Sequence, residues 1–208
     1  MKLPPLAFTA LAALLCSCAA TSVKQTWKSP DSPGPVGKVA VVAVAEYGNL
    51  RIGLENRFVR QLTKAGSTAT ATYDLLSLPQ IKADKQAAAA RFRANGAEGV
   101  LILRLANLSS SYRENRPGRE RYAGMITDVN SIGWYETFTV GFTDMSPTYA
   151  HSKETVNLET SLYDLNTEKR LWSGVTQTVV TEDMDRVAEM DPLIEKIVAA
   201  MKKDGVIP

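Results

Sequence analysis

His151 is the single histidine of the 208-residue chain. A metal site gathers several His, Cys or carboxylate ligands at fixed spacing, and His151 has no second histidine to join it. Ser152 follows directly, but neighbours on a strand point to opposite faces. The sequence also holds no Gly-x-Ser-x-Gly nucleophile elbow, although a triad built from distant partners stays open. Gly34-Pro35-Val36-Gly37-Lys38 has the residue types of a phosphate loop without its spacing, and it precedes a strand pattern rather than a helix. Glu182, Asp183 and Asp185 suit the start of a helix, where negative charge is stabilised by about 0.3–1 kcal/mol. These residues give no expected catalytic group, metal ligand or cofactor site. The leading expectation is a non-enzymatic binding or assembly module. Its rival is a hydrolase acting on envelope polymers, with a perturbed carboxylate or His151 hydrogen-bonded to a nucleophile.

The residues best suited to recognition lie in one polar stretch. Arg113, Arg116, Arg119 and Arg121 fall within nine residues, interleaved with Tyr112, Tyr122 and two glutamates, and Trp134 follows. Arginine and aromatic side chains are favoured at interfaces. These seven residues are the candidate interaction site, with a contact expected near 109–150. The partner would be an envelope protein, anionic headgroups, peptidoglycan or a second copy of the chain. The alternative is a solvated loop whose charges keep an edge from aggregating.

The two cysteines, Cys16 and Cys18, follow a minimal positive segment (Met1-Lys2) and a short apolar run, Leu6 to Leu15. Charge, short apolar run and small residues, in that order, are the anatomy of an export signal. The run is too short to span a bilayer, which takes roughly 20 residues. Leu15-Cys16-Ser17-Cys18 resembles the lipobox of bacterial lipoproteins. The resemblance implies removal of residues 1–17 and a diacylglyceryl group on Cys18. Ala19 in place of Asp implies the outer membrane, facing the periplasm. Two or more acyl chains give stable attachment where one does not.

Cleavage removes Lys2 and leaves 23 basic against 22 acidic residues. That balance argues against a nucleic-acid binder. It also leaves Cys18 as the one cysteine, so no internal disulfide is available and the fold rests on its core.

Residues 18–37 read as a flexible tether rich in Pro, Gly, Ser and Thr. Fully extended, it would reach on the order of 60 Å. Trp27 is its one large apolar residue, read as a staple onto the domain or the lipid interface. Residues 38–208 read as a single domain. Lys38 to Ala45 and Val100 to Leu105 are buried-strand patterns. Leu50, Leu54, Phe58, Leu62 and Ala65 recur at helical spacing, with Asn49 as cap and Gly66 as stop. Thr68 to Tyr73 alternates as a half-buried strand, and Asp84 caps a helix over Lys85 to Asn95 that Gly96 closes. Residues 107–133 lack a period and read as a long loop or protruding hairpin. Trp134 to Phe142 alternates and predicts a strand. Thr155 to Leu165 and Arg170 to Val180 predict a hairpin, with Val156, Leu158 and Leu162 facing inward on one strand and Leu171, Val175 and Val179 on the other. A last helix carries Ile194, Ile197, Val198 and Met201, with Asp191 as cap and Pro192 in its first turn. The expected fold is α/β with an α+β tendency: a mixed sheet of five to six strands in order β-α-β-α-β-β-β-β-α, helices mainly on one face.

Gly96-Ala-Glu-Gly-Val-Leu-Ile102 and Leu162-Tyr-Asp-Leu-Asn-Thr-Glu-Lys-Arg-Leu-Trp-Ser-Gly174, after the Lys38-Val-Ala-Val-Val start, resemble a group of poorly characterised Gram-negative lipoproteins. Their domain is similar to the N-terminal domain of TolB and to the periplasmic part of the curli secretion lipoprotein CsgG. The resemblance spans most of 38–207 and rests on structural motifs, so it implies fold more than function. It also brings in a secretion-channel-like oligomer as an alternative. Residues 125–150 are too polar and interrupted to match the membrane-crossing hairpins of CsgG.

Overall fold

The computed structural model describes residues 21–45, 48–107, 133–143, 153–181 and 190–208. They form one six-stranded mixed sheet with five helices. The elements in chain order are β1 (Ser22–Lys28), β2 (Lys38–Val44), α1 (Gly48–Ala65), β3 (Thr68–Ala71), α2 (Leu78–Ala83), α3 (Lys85–Ala94), β4 (Gly99–Asn107), α4 (Trp134–Thr143), β5 (Lys153–Asp164), β6 (Arg170–Thr181) and α5 (Met190–Lys203). The sheet order is β1-β6-β5-β4-β2-β3. β2 is parallel to β3 and β4; the other pairings are antiparallel.

The helices divide between the two faces instead of gathering on one. Val39, Val41, Ala43, Leu101 and Leu103 pack with α1 and α5. Ala40, Val42, Val44, Val100 and Ile102 pack with α2, α3 and α4. The strand order explains the division. The chain moves outward from β2 to β3 and then back across β2 to β4. Crossovers of one hand in opposite directions put their helices on opposite faces.

Three local expectations meet a different structure. Ser22–Lys28, expected in the tether, is an edge strand paired antiparallel with β6. An edge strand needs only backbone partners, so its mostly exposed, polar residues carry no burial pattern. Trp134 to Phe142, expected as a strand, is helical. Trp134 and Phe138 are both buried and lie four apart, which satisfies a helical face as well as an alternating one. On β6 Leu171 enters the core as expected and Trp172 joins it, set opposite Leu162, while Val175, expected on the same side as Leu171, sits opposite Glu159 on the other face. A register shift between Leu162 and Tyr163 produces this change, because one residue of slip exchanges the faces. Gly174 makes room for the indole: a Cβ there would meet Trp172 Cη2 at 2.3 Å.

Other expectations match. Asp84 Oδ1 accepts from Ala87 N at 2.9 Å and caps α3. Gly66 and Gly96 follow α1 and α3 with φ of 107° and 84°. Asp164 Oδ1 accepts from the Asn166 and Thr167 amides and pins the β5–β6 turn. Asp191, expected as the cap of α5, instead lies inside its first turn and acts across helices: it pairs with Arg57 Nε at 3.1 Å and Arg60 Nη2 at 3.4 Å, joining α5 to α1. α2 had no counterpart in the sequence pattern. It carries a capping box, Ser77 with Gln80, over too short a span to show a period.

The register defines two ends of the sheet. Val44, Asn107, Lys153, Thr181 and Ser22 lie at one, the upper end; Lys38, Gly99, Asp164, Arg170 and Lys28 lie at the other.

Candidate functional site

Of the predicted interaction residues, Tyr112, Arg113, Arg116, Arg119, Arg121 and Tyr122 lie outside the described residues, as do Cys18, His151, Ser152, Glu182, Asp183 and Asp185. The chain enters the arginine-bearing stretch from Asn107, at the upper end of β4. Trp134 is described and is wholly buried, its ring 6.1 Å from that of Phe92 and 5.7 Å from that of Tyr135. It is a core residue rather than an exposed contact.

The described structure instead brings together a polar layer that the sequence reading did not single out. On β5, Asn157, Glu159, Ser161 and Tyr163 alternate with Leu158, Thr160 and Leu162. Such alternation ordinarily marks a wet face, yet all four polar residues are buried. The antiparallel register sets Glu159 directly opposite Arg104 of β4. Arg104 Nε donates to Glu159 Oε2 at 3.1 Å, and its Nη2 reaches the same oxygen. Tyr163 OH shares a hydrogen bond with Thr137 Oγ1 of α4. The Arg170 guanidinium stands 5.7 Å from the centre of the Trp27 ring and 6.0 Å from that of Tyr163, a cation–π arrangement. Trp27 thereby staples β1 onto the domain.

Burial sets the electrostatics of this layer. It pushes the Tyr163 phenol above its ordinary value, with the Thr137 hydrogen bond and the Arg170 charge working against it. Burial likewise lowers Arg170, against the opposing effects of Tyr163 and Glu159. Tyr163 is therefore a neutral hydrogen-bonding group at physiological pH. The layer holds one acid, two guanidiniums and a phenol, already engaged with one another. One signal was present in the sequence: Arg104 interrupts the apolar run Val100 to Leu105, and a buried charge requires a partner.

A second buried acid, Glu55 of α1, lies on the opposite face near the upper ends of β2 and β3. β3 stops at Ala71, the residue paired with Val41, so β2 continues to Val44 with no strand beside it on that side. Glu55 takes the missing place. Its Oε1 accepts from Ala43 N at 3.0 Å and Arg51 Nε at 2.7 Å; its Oε2 accepts from Thr72 N at 2.6 Å and Tyr73 N at 2.8 Å. Arg51 Nη2 donates onward to Thr72 Oγ1 and Leu76 O. This arrangement closes a sheet edge and engages both carboxylate oxygens of Glu55.

Among the described residues no three His, Cys, Asp or Glu side chains stand together as a metal site. Among them too, no helix is long and apolar enough to cross a membrane.

No protein-family model matches the sequence, and no curated protein matches it. Solved structures do. PelC dodecamers from Paraburkholderia phytofirmans in two crystal forms are 15% and 12% identical, with TM-scores of 0.48 and 0.49. The first covers 86% of this chain and 96% of its own, the second 90% and 99%. The lipoprotein GNA1162 from Neisseria meningitidis is 14% identical, with a TM-score of 0.38, over 81% of this chain and 96% of its own.

Proposed function

We propose that this chain is a lipoprotein of the cell envelope, held to the outer membrane by lipid on Cys18, facing the periplasm, and acting by binding or assembly without catalysis. One observation carries the reading. Leu15-Cys16-Ser17-Cys18 follows a short apolar run and a basic N-terminus, the order of an export signal ending in an acyl acceptor. Near-neutral charge in the remaining chain agrees with a role away from nucleic acid. The mutual pairing of Arg104 with Glu159, and of Arg51 with Glu55, agrees with ionisable groups that serve the fold. The partner is an envelope protein or further copies of the chain itself.

Intact-mass analysis and membrane fractionation of the parent and Cys18→Ala test the anchor. The parent is expected to carry the acyl mass and sediment with membranes; Cys18→Ala is expected to lose both. Unchanged membrane attachment of the variant would sink the reading. Photo-crosslinking in cells from Tyr122 then addresses the partner. A discrete band containing a second protein marks a hetero-partner, and a band of twice the chain's mass marks self-assembly.

A further inference from the structure

Lipid on Cys18 fixes where the chain meets the membrane, and the described structure begins three residues later, at Thr21. Thr21 is buried and held on two sides. Its Oγ1 shares a 3.1 Å hydrogen bond with Thr178 Oγ1 of β6, and its carbonyl accepts from Lys196 Nζ of α5. The leash is therefore not the residues 18–37 but Cys18 to Thr21. A trans chain advances at most about 3.6 Å per residue, so the reach shrinks from on the order of 60 Å to about 11 Å.

A leash that short does more than tether. It selects the end of the domain that meets the lipid. Thr21 lies at the upper end of the sheet, where β1 starts beside the last turns of β6 pairing. The same end carries the two exposed large apolar side chains among the described residues. Val23, the second residue of β1, is 37% exposed; Ile52, in the second turn of α1, is 42% exposed. Ile52 belongs to that end because its neighbours Arg51 and Glu55 meet Thr72 just beyond the upper end of β3. Isolated exposed apolar residues need no explanation by themselves. Here both stand at the leashed end, among the exposed polar residues Lys24, Asn49 and Asp74.

From the leash and these two side chains we infer that the upper end of the sheet lies flush against the lipid headgroups, with Val23 and Ile52 at the interface and the β5–β6 turn facing away. The inference rests on the lipid anchor at Cys18 proposed above. It assigns the membrane surface as the occupant of that end and gives the domain a fixed orientation in place of a mobile one.

The lipidated chain has no free thiol, so a single introduced cysteine can carry an environment-sensitive NBD fluorophore. Val23→Cys, Ile52→Cys and Asn166→Cys, each lipidated, are reconstituted on phosphatidylethanolamine–phosphatidylglycerol vesicles containing a doxyl-labelled lipid. Quenching is expected to be severalfold stronger at positions 23 and 52 than at 166. Equal quenching at the three positions, or stronger quenching at 166, overturns the inference. A Gly/Ser insertion of about 20 residues after Ala20 behaves as flexible coil and is expected to bring the positions toward parity. A difference unchanged by the insertion would refute the leash as its cause. Vesicle flotation keeps the two readings apart. A parent chain that fails to float refutes the anchor, whereas one that floats with equal quenching refutes only the orientation.

Discussion

Glu55 and Glu159 are both buried, and each faces an arginine, but they are satisfied in different ways. Glu55 takes three backbone amides from two places in the chain, Ala43 and the adjacent Thr72 and Tyr73, besides the Arg51 guanidinium. Glu159 meets the Arg104 side chain across a strand pair, within a layer that also holds Tyr163, Ser161 and Asn157. The first acid replaces a missing strand. The second is one member of a side-chain layer. A carboxylate that serves backbone donors cannot be exchanged for an apolar group, because the amides stay behind; a side-chain pair can be removed together.

The largest effect expected from this contrast is at Glu55. Glu55→Ala leaves Arg51 and buried amides without their acceptor and is expected to cost about 3–5 kcal/mol, measured as the shift in urea unfolding. A loss below about 1 kcal/mol would show that water or another group substitutes, and the distinction between the two acids would fail.

Paired replacements sharpen the comparison. Arg51→Met with Glu55→Leu still strands the Ala43 and Tyr73 amides and is expected to destabilise by on the order of 3 kcal/mol. Arg104→Met with Glu159→Leu removes both charges at once and is expected to fall within about 1 kcal/mol of the parent. Equal losses in the two double variants would show that Glu159 also serves groups that cannot be removed with it.

Tyr163 offers a pH-dependent version of the same test. Its folded-state pKa is raised above the ordinary 10.0 by burial, so the unfolded chain releases the phenolic proton first. The associated stability is complete below pH 10 and is lost as pH rises through 10 toward the folded-state value. Tyr163→Phe gives up the Thr137 hydrogen bond, about 1 kcal/mol at pH 8. Its stability is expected to fall less steeply than the parent's as pH rises above the ordinary value of 10.0. Parallel pH profiles of the two proteins would remove burial of the phenol as the cause.

The smallest effect is expected one residue from Glu159. Thr160 is buried with no partner for its hydroxyl. Thr160→Val keeps the shape and discards the unpaired group, and is expected to leave stability unchanged or raise it by up to about 1 kcal/mol. A loss greater than that would reveal a bound partner for the hydroxyl.

What the sequence determined by itself was local. β2 and β4 were legible as apolar β-branched runs, α1 and α5 as apolar stripes at helical spacing, and α3 by its Asp84 cap and Gly96 stop, because each signal lies within one turn or one strand. The pattern read as an export signal is local for the same reason, since its charge, apolar run and small residues are contiguous. Tertiary structure decided the rest. β1 is a strand only because β6 lends its edge. Trp134 to Thr143 is a helix because Trp134 and Phe138 enter the core beside Phe92, where an alternating pattern fits equally well on paper. The face of β6 follows from a register shift against β5. The meeting of Glu55 with Ala43, Thr72 and Tyr73, and of Arg104 with Glu159, depends on which strand ends early and which residue stands opposite. Those are long-range properties: register and strand length are set between segments, and no window of sequence contains both partners.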